Sequence, residues 1–534
     1  MRVRLSILFL LFFLTTLLQA QVSQQWVTIH DGLTEYSTMK VDKSGNTCIA
    51  FKIYRNNNYD IGVAKYNSSG VLLWSVILDS VNSDEIPADL AVNNFGDVYV
   101  TGYSGPRNSG PRAYITIKYN TQGVIEWIRY FTEPSNNLKA AAGIALDLSG
   151  NVYITGFATE PGNKFAATIK YNSSGNQLWV AKYYGTFNSS DGRAITVSND
   201  GSIYITGTTS REVPFDTDYL TIKYNSFGIQ QWVKTYSGST PTRGEAYCLG
   251  TDVSGNVIVS GYYWTMPTDA DYTTIKYSSS GAVQWVKAYN NNHYDEVKSM
   301  AIDDSSNVYL TGFSETSNGA KDIATVKYNA LGQQMWSAIY NGPGDGLDIG
   351  SYVAVDKYQN VYVTGPSWGA GTYEDFATIK YNLFGNQQWL IRYNGPTSNG
   401  DYTLYVGLDT LNNVYVSGTT YDGAIYRCAL VKYSQTVGIN TNSSEVPSYF
   451  SLHQNFPNPF NPSTNIEFEI PKNCFIDLKI YDISGKNIHT IVSEYKPAGK
   501  YSATFNASEL GTGIYFYKLE TTDFTQTKKM VVIK

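Results

Sequence analysis

The sequence predicts an all-β protein: an eight-bladed β-propeller of four-stranded blades followed by a small β-sandwich. Two periodicities and one break carry this. Trp26, Trp74, Trp127, Trp179, Trp232, Trp285, Trp336 and Trp389 follow one another at spacings of 48, 53, 52, 53, 53, 51 and 53 residues. A Lys-Tyr pair keeps the same beat, opening at Lys65, Lys118, Lys170, Lys223, Lys276, Lys327, Lys380 and Lys432. A period of about 52 residues is too long for a solenoid repeat of one helix pair and suits a four-stranded propeller blade. After Tyr433 the beat stops and a different strand pattern begins.

The first element is a targeting segment. Arg2 and Arg4 precede the apolar run Leu5 to Leu18, and Ala20 ends a cleavage site, so residues 1–20 read as a signal peptide. The run is short for a membrane-spanning helix and no second candidate follows, so the mature chain is expected to start at Gln21 without a transmembrane segment.

The propeller is expected over residues 21–433. In the fourth repeat, Asp191–Ser198 reads as a first strand, Ile203–Gly207 as a second, Tyr219–Tyr224 as a third and Gln231–Tyr236 as a fourth. Each is short, β-branched or aromatic, and bounded by turn formers. Gly70, Gly123, Gly175, Gly228, Gly281, Gly332 and Gly385 each stand four residues before a Trp, where a hairpin needs positive φ. The other hairpin carries Asp-x-x-Gly-Asn or a variant, as at Asp42–Asn46, Asp147–Asn151 and Asp252–Asn256, an Asx-type turn. Lys432-Tyr433 lacks a following Trp, and Trp26 lacks a preceding Lys-Tyr. The two fragments complete one blade, so residues 26–30 are expected to pair with 427–433 and close the ring, which removes an exposed sheet edge.

The pattern Asp-x-x-Gly-Asn-Val-Tyr-Val-Thr-Gly, then Thr-Ile-Lys-Tyr-Asn-x-x-Gly-x-x-x-Trp, resembles the bacterial beta-propeller repeat family, often called the seven-bladed (SBBP) repeat, over residues 26–433. The resemblance implies a fold and an exported location but no particular activity. This chain departs from the family's name in having eight units.

Residues 434–449 are polar and small, a linker composition. The run Gln454–Thr464 follows, with three prolines in six residues that preclude a regular ladder, and then alternating strands at 465–470, 475–481, 488–492, 500–506, 513–520 and 528–534, the spacing of a small β-sandwich. Residues 450–534 closely resemble the type A C-terminal sorting domain of the type IX secretion system. The resemblance rests on Asn455, Pro457, Asn458, Pro459, Phe460, Asn461 and Pro462 in the proline run, on Gly485, Gly499 and Gly513 in the turns, and on the terminal Lys528-Lys-Met-Val-Val-Ile-Lys534. It implies the type IX machinery as a partner and delivery, via the periplasm, to the cell surface or the medium.

Composition narrows the function. The net charge is −6 with no basic block, which argues against a nucleic-acid partner. Cys48, Cys248, Cys428 and Cys474 are scattered and suggest neither a disulfide framework nor a zinc site. The four histidines, His30, His293, His453 and His489, sit in no catalytic motif, no nucleophile elbow is present, and glycines lie in hairpins instead of phosphate-cradling loops. No catalytic residue, metal site or cofactor is expected, and the chain is expected to be a monomer.

Acids recur where the innermost strands begin. Glu35, Asp191, Glu245 and Glu296 lie seven residues before the first hairpin; Glu85, Asp348 and Asp401 lie one residue earlier in three other repeats, and the remaining repeat has Ala140. Such starts converge on one mouth of a propeller channel, where acids could bind a cation or a basic ligand; alternatively each caps its own loop or bonds the neighbouring blade. Trp264 and Trp368 are off the beat, in second-to-third strand loops of the fifth and seventh blades at the same mouth, where each could stack on a sugar ring, anchor a partner, or fold back on its loop. Trp264, Trp368, Asp191, Glu245 and Glu296 are therefore the candidate ligand-binding residues.

The favoured function is an exported binding or adhesion module for a surface glycan or protein. The alternatives are a purely structural surface protein and a propeller enzyme, glycan-active or quinone-dependent. The Gly-x-x-x-Trp hairpin is superficially similar to that of eight-bladed pyrroloquinoline quinone dehydrogenases, but no vicinal cysteine pair or cofactor constellation accompanies it. Deleting residues 450–534 is predicted to abolish extracellular localisation; cell fractionation showing unchanged export of the truncated chain would refute the sorting role.

Overall fold

The computed structural model describes residues 21–534 apart from 31–33, 81–82, 107–109, 134–136, 212–215, 239–242, 266–268, 437–438, 444–446, 497, 508–509 and 534. The signal-peptide reading of residues 1–20, and Lys534, lie outside the described residues. The described residues contain no helix, and the strands divide into a unit over Gln24–Ser434 and a unit built on Gln435–Lys534.

In the first unit the described residues form eight antiparallel four-stranded sheets. The innermost strands of blades 1 to 8 are Thr34–Val41, Asp84–Val92, Lys139–Leu146, Ser190–Val197, Gly244–Thr251, Asp295–Ile302, Tyr352–Val355 and Tyr402–Leu408. Each neighbours the next around a ring, and that of blade 8 returns to blade 1. Blade 8 takes its inner three strands from Tyr402–Leu408, Val414–Tyr421 and Tyr426–Thr436, and its outer strand, Gln21–Ile29, from the start of the chain. The His30 N–H donates to the Cys428 carbonyl at 2.8 Å. Its ring is buried against Phe51, with Nδ1 2.5 Å from the Tyr66 hydroxyl.

The on-beat tryptophans hold the blades to one another. Each lies on an outer strand, and its indole N–H reaches a carbonyl in the third-to-outer hairpin of the next blade. The bonds are Trp74 to Thr121 (3.0 Å), Trp127 to Ser173 (3.1 Å), Trp179 to Ser226 (3.1 Å), Trp232 to Ser279 (3.1 Å), Trp285 to Ala330 (3.2 Å) and Trp336 to Leu383 (3.0 Å). The hairpin glycine lets the ring lie close: at Gly123 (φ 82) a Cβ would stand 2.6 Å from Trp74. Several Lys-Tyr lysines reinforce the same joint; the ammoniums of Lys170, Lys223 and Lys276 donate to Ser226, Ser279 and Ala330. The partner Tyr packs near the preceding blade's indole, as Trp74 and Tyr119 do at 5.9 Å. At the joint between blades 8 and 1 the two sequence fragments meet on one atom: Trp26 Nε1 (3.2 Å) and Lys432 Nζ (2.9 Å) both donate to the Ser68 carbonyl.

Ring closure leaves one tryptophan without this bond. Blade 8 has no third-to-outer hairpin, because its outer strand comes from the other end of the unit. Trp389, on the outer strand of blade 7, is 3% exposed and its Nε1 finds no acceptor.

The second unit is a sandwich of two four-stranded sheets. One orders Ile439–Ser443, Gly499–Asn506, Ser463–Ile470 and Ser451–Leu452; the other Asn487–Lys496, Cys474–Tyr481, Gly513–Glu520 and Thr525–Val532. Inward residues such as Ile466, Phe468, Ile476, Leu478, Tyr517 and Met530 form its core. Part of the segment read as linker is structured: Ile439–Ser443 pairs with Gly499–Asn506 at a sheet margin, where a short polar strand blunts an edge. The four cysteines are buried free thiols.

An unpaired buried donor costs roughly 1–3 kcal/mol, whereas an ordinary hydrogen bond contributes about 1 kcal/mol. Trp336→Phe is therefore predicted to lower the melting temperature more than Trp389→Phe, because only the first loses a bond and the second removes an unsatisfied N–H. Equal losses in thermal unfolding would contradict this account of the seam.

Candidate functional site

The inner strands of seven blades carry a β-bulge near their start, for example between Gly192 and Ala194, Ala246 and Cys248, and Val297 and Ser299. In six of the seven a glycine on the second strand makes room for it, and in blade 1 Phe51 stands there instead. At Gly261 a Cβ would stand 1.9 Å from the Glu245 carbonyl oxygen, so only hydrogen fits. In blades 4, 5 and 6 the bulged residues are Arg193, Tyr247 and Lys298, and each turns back onto the acid two residues before it. Arg193 Nε is 3.3 Å from Asp191, the Tyr247 hydroxyl donates to Glu245 at 2.7 Å, and Lys298 pairs with Glu296.

These pairs join into a belt across neighbouring blades. Lys164 of blade 3 donates to Asp191 at 2.6 Å, and Arg193 Nη1 reaches Glu245 of blade 5 at 2.6 Å. Glu245 also accepts from Arg243, and Tyr294 donates to Glu296 at 2.7 Å. Aromatic rings run alongside: Tyr247 to Tyr262 at 5.8 Å, Tyr262 to Tyr294 at 6.4 Å, and Trp264 stacked on Tyr294 at 5.7 Å with planes 30° apart. Lys321 lies 5.2 Å from the Tyr294 ring centre.

The acids do not form one ring. Asp191, Glu245 and Glu296 share a register position, opposite Thr208, Tyr262 and Phe313. Glu85, Asp348 and Asp401 stand one position earlier, opposite Ser104, Ser367 and, by the same register, Thr420. Adjacent strand residues point to opposite faces, so the second set is fully buried and holds loops. Asp348 accepts from the N–H groups of Gly342 (2.8 Å) and Trp368 (3.0 Å), Asp401 from Gly395 N–H (2.5 Å) and Thr420 Oγ1 (2.6 Å), and Glu85 from Ser104 Oγ (2.8 Å). At the belt's register position blades 2 and 3 have Ile86 and Ala140. Glu35 of blade 1 stands at the belt's register position, opposite Lys52, but its side chain lies outside the described residues. Among the described residues the paired acids lie in adjacent blades, and no three His, Cys, Asp or Glu side chains are placed to hold a metal ion.

The two off-beat tryptophans differ. Trp264 is 36% exposed beside the belt. Trp368 is folded onto its neighbours: a Cβ at Gly344 would stand 2.2 Å from its ring, and Tyr373 packs edge-on at 5.6 Å. Both tryptophans lie on second strands, Val257–Thr265 and Val361–Trp368, and not in the loops expected from the sequence; the structure brings Trp264, Asp191, Glu245 and Glu296 into one belt and sets Trp368 against the Gly344 and Gly346 turn that precedes blade 7.

In the second unit the two halves of the terminal signature touch. Asn458 accepts from Val531 N–H at 2.9 Å, Phe460 N–H donates to the Val531 carbonyl at 3.0 Å, and Gln454 Nε2 donates to the Lys529 carbonyl at 2.7 Å. Asn455 is buried and donates to Thr464 Oγ1 and the Pro457 carbonyl. Pro459, Asn461 and Pro462 are exposed along the run. Gly485 (φ 82) turns one hairpin, and Gly499 and Gly513 open strands. The family model for the secretion system C-terminal sorting domain matches residues 454–534. Residues 454–534 are that sorting domain. A second model, the beta-propeller repeat, matches residues 126–160, the outer strand of blade 2 and the first two strands of blade 3. A protein carrying this sorting domain is secreted by the type IX system to the cell surface or the medium, and no described helix is long and apolar enough to cross a membrane.

No curated protein matches the chain. Among solved structures, PorZ, a bacterial surface component of the type IX secretion system of Porphyromonas gingivalis, is 13% identical with a TM-score of 0.39, over 93% of this chain and 70% of that one. The polysaccharide lyase Uly1 is 10% identical with a TM-score of 0.42, over 74% of this chain and 89% of that one. Likenesses at this level bear on neither the ligand nor the activity of this chain.

Electrostatics separate the two sets of acids. Burial would raise Glu245, but the Tyr247 hydroxyl and the Arg193 and Arg243 guanidiniums outweigh it and hold the carboxyl down at about 2. Burial likewise opposes ionisation of Asp191, and Arg193 and Lys164 reverse it. The loop-holding acids lack such cations. Asp295, one position before Glu296 and opposite Ser314, holds a loop in the same way by accepting from Asn291 N–H at 2.8 Å. Burial, helped by the charge of Asp271, pushes it up to about 6 against the opposing effects of Ser314, the Asn291 N–H and His293, and burial also raises Glu85 and Asp401. A carboxyl raised above its unfolded value of about 4 contributes stability below that pH and loses it as pH rises through the folded value. Asp295→Asn is accordingly predicted to flatten the loss of thermal stability between about pH 4 and 6.5, a term on the order of 2–3 kcal/mol. An unchanged pH profile in the variant would refute this.

Proposed function

We propose that this secreted propeller is a non-catalytic binding module, and that a glycan on a neighbouring surface seats on the belt of blades 4 to 6. The observation that carries the reading is Trp264, a large ring left accessible and backed by Tyr294, beside hydrogen-bonding groups whose geometry is already fixed. Flat aromatic faces stack on the C–H face of a sugar ring, and the adjoining Arg243, half exposed while bonded to Glu245, offers donors to hydroxyl oxygens.

A binding role suits the charges better than catalysis does. Glu245 is fixed as an anion by its cations, so it has no proton to donate as a general acid near neutrality, and it is already saturated with donors as a base. Among the described side chains the paired acids of the belt, Asp191, Glu245 and Glu296, lie in three adjacent blades, a local arrangement that supports a discrete ligand over a purely structural role.

Glycan-array binding by the purified mature protein tests the reading. Wild type is expected to bind, Trp264→Ala to lose at least about tenfold in affinity (roughly 1.4 kcal/mol, the scale of a lost stacking contact), and Trp368→Ala to retain binding. Absence of glycan binding by wild type would leave the purely structural reading in its place.

A further inference from the structure

We propose that the proline run and the last strand of the sorting domain together form the face that the export machinery reads, and that its partner presents an apolar pocket rimmed by carboxylates. The two segments are about seventy residues apart in the chain, yet hydrogen bonds from Asn458, Phe460 and Gln454 to Val531 and Lys529 make them one surface. Ile533 N–H returns to the Phe460 carbonyl at 3.0 Å.

Phe456 is the centre of this face. Its backbone is pinned by paired bonds with Asn465, both 2.9 Å, and its neighbour Asn455 is anchored through Tyr517, Thr464 and the Pro457 carbonyl. The ring itself is 80% exposed. A chain that fixes a loop this firmly and leaves its phenylalanine in water holds an anchor already shaped for a pocket, so little ordering cost remains on docking. Ile533, 46% exposed, adds apolar surface.

Charge identifies the partner's rim. Residues 454–466 contain no charged side chain, and residues 524–534 contain three lysines and no acid. Lys479, Lys500 and Lys518 elsewhere in the domain pair with acids, whereas Lys528 and Lys529 form no ion pair among the described residues. The mode of recognition follows from the prolines. Thr525–Val532 is a marginal strand of its sheet, but the run bonds alongside it at Phe460, and Pro457, Pro459 and Pro462 have no N–H to pass a ladder on. Side chains, not an added strand, are what the partner grips.

The test is export of full-length variants from the native cells, followed by fractionation and immunoblotting. Phe456→Ser and the double variant Lys528→Glu/Lys529→Glu are expected to cut the extracellular fraction about tenfold and to accumulate in the periplasm. Ile483→Ser, which removes a 79% exposed residue from a hairpin elsewhere in the domain, is expected to export normally. Thermal unfolding checks the fold; if Phe456→Ser destabilises the domain, the lysine variant decides. Normal export of the lysine variant, or of a stably folded Phe456→Ser protein, overturns the proposal. A parallel deletion of residues 450–534 separates failure of this face from failure of the sorting role itself.

Discussion

An indole N–H in each of seven outer strands, bonded to a hairpin carbonyl of the following blade, is what joins separate sheets into a ring. A four-stranded sheet alone presents two apolar faces and an outer edge, and each of these bonds fixes how its face meets the next. The same contact explains the local sequence: glycine where the ring presses on the hairpin, lysine where a second donor reaches the same carbonyl, tyrosine where the neighbouring blade meets the indole. The Ser68 carbonyl receives both Trp26 and Lys432, so the closing joint is built with the same parts as the others although they come from opposite ends of the unit.

Much of this architecture is legible in the sequence, because a period of fixed length and a tryptophan without its Lys-Tyr are visible without coordinates. The site was less so, for a physical reason. Glu85, Asp348 and Asp401 differ from Asp191, Glu245 and Glu296 by one register position, and in a strand one position exchanges faces. Six of the seven similar acids therefore fall into two populations, one holding loops in the interior and one paired with cations at the mouth, while the Glu35 side chain lies outside the described residues. The counter-groups Arg193, Tyr247 and Lys298 were missed although acid-x-partner spacing marks all three, because only the bulge aims them back at the acid. Trp264 and Trp368 look alike in sequence, and it is the glycine-rich turn at Gly344 and Gly346 that encloses the second.

The two units divide the labour between repetition and exception. In the propeller, recurring features account for the ring, and the belt across blades 4 to 6 stands out for the counter-groups its bulges aim at the acids. In the sorting domain nothing repeats: Gln454 and Asn458 of the proline run bond the last strand, and Asn455 and Thr464 bond within the run itself. Both places show polar groups fixed in advance with an aromatic ring left accessible, Trp264 in one and Phe456 in the other.

Closure by the first strand also couples completeness to delivery. The Lys432–Ser68 contact spans 364 residues of sequence, a long loop whose ends meet only after every intervening blade exists. A chain interrupted within the propeller has a first tryptophan with no strand to lie on, and it lacks the sorting domain that follows. An open ring is thus also an unaddressed one. For a truncated copy, the missing seam and the missing address therefore have a single cause.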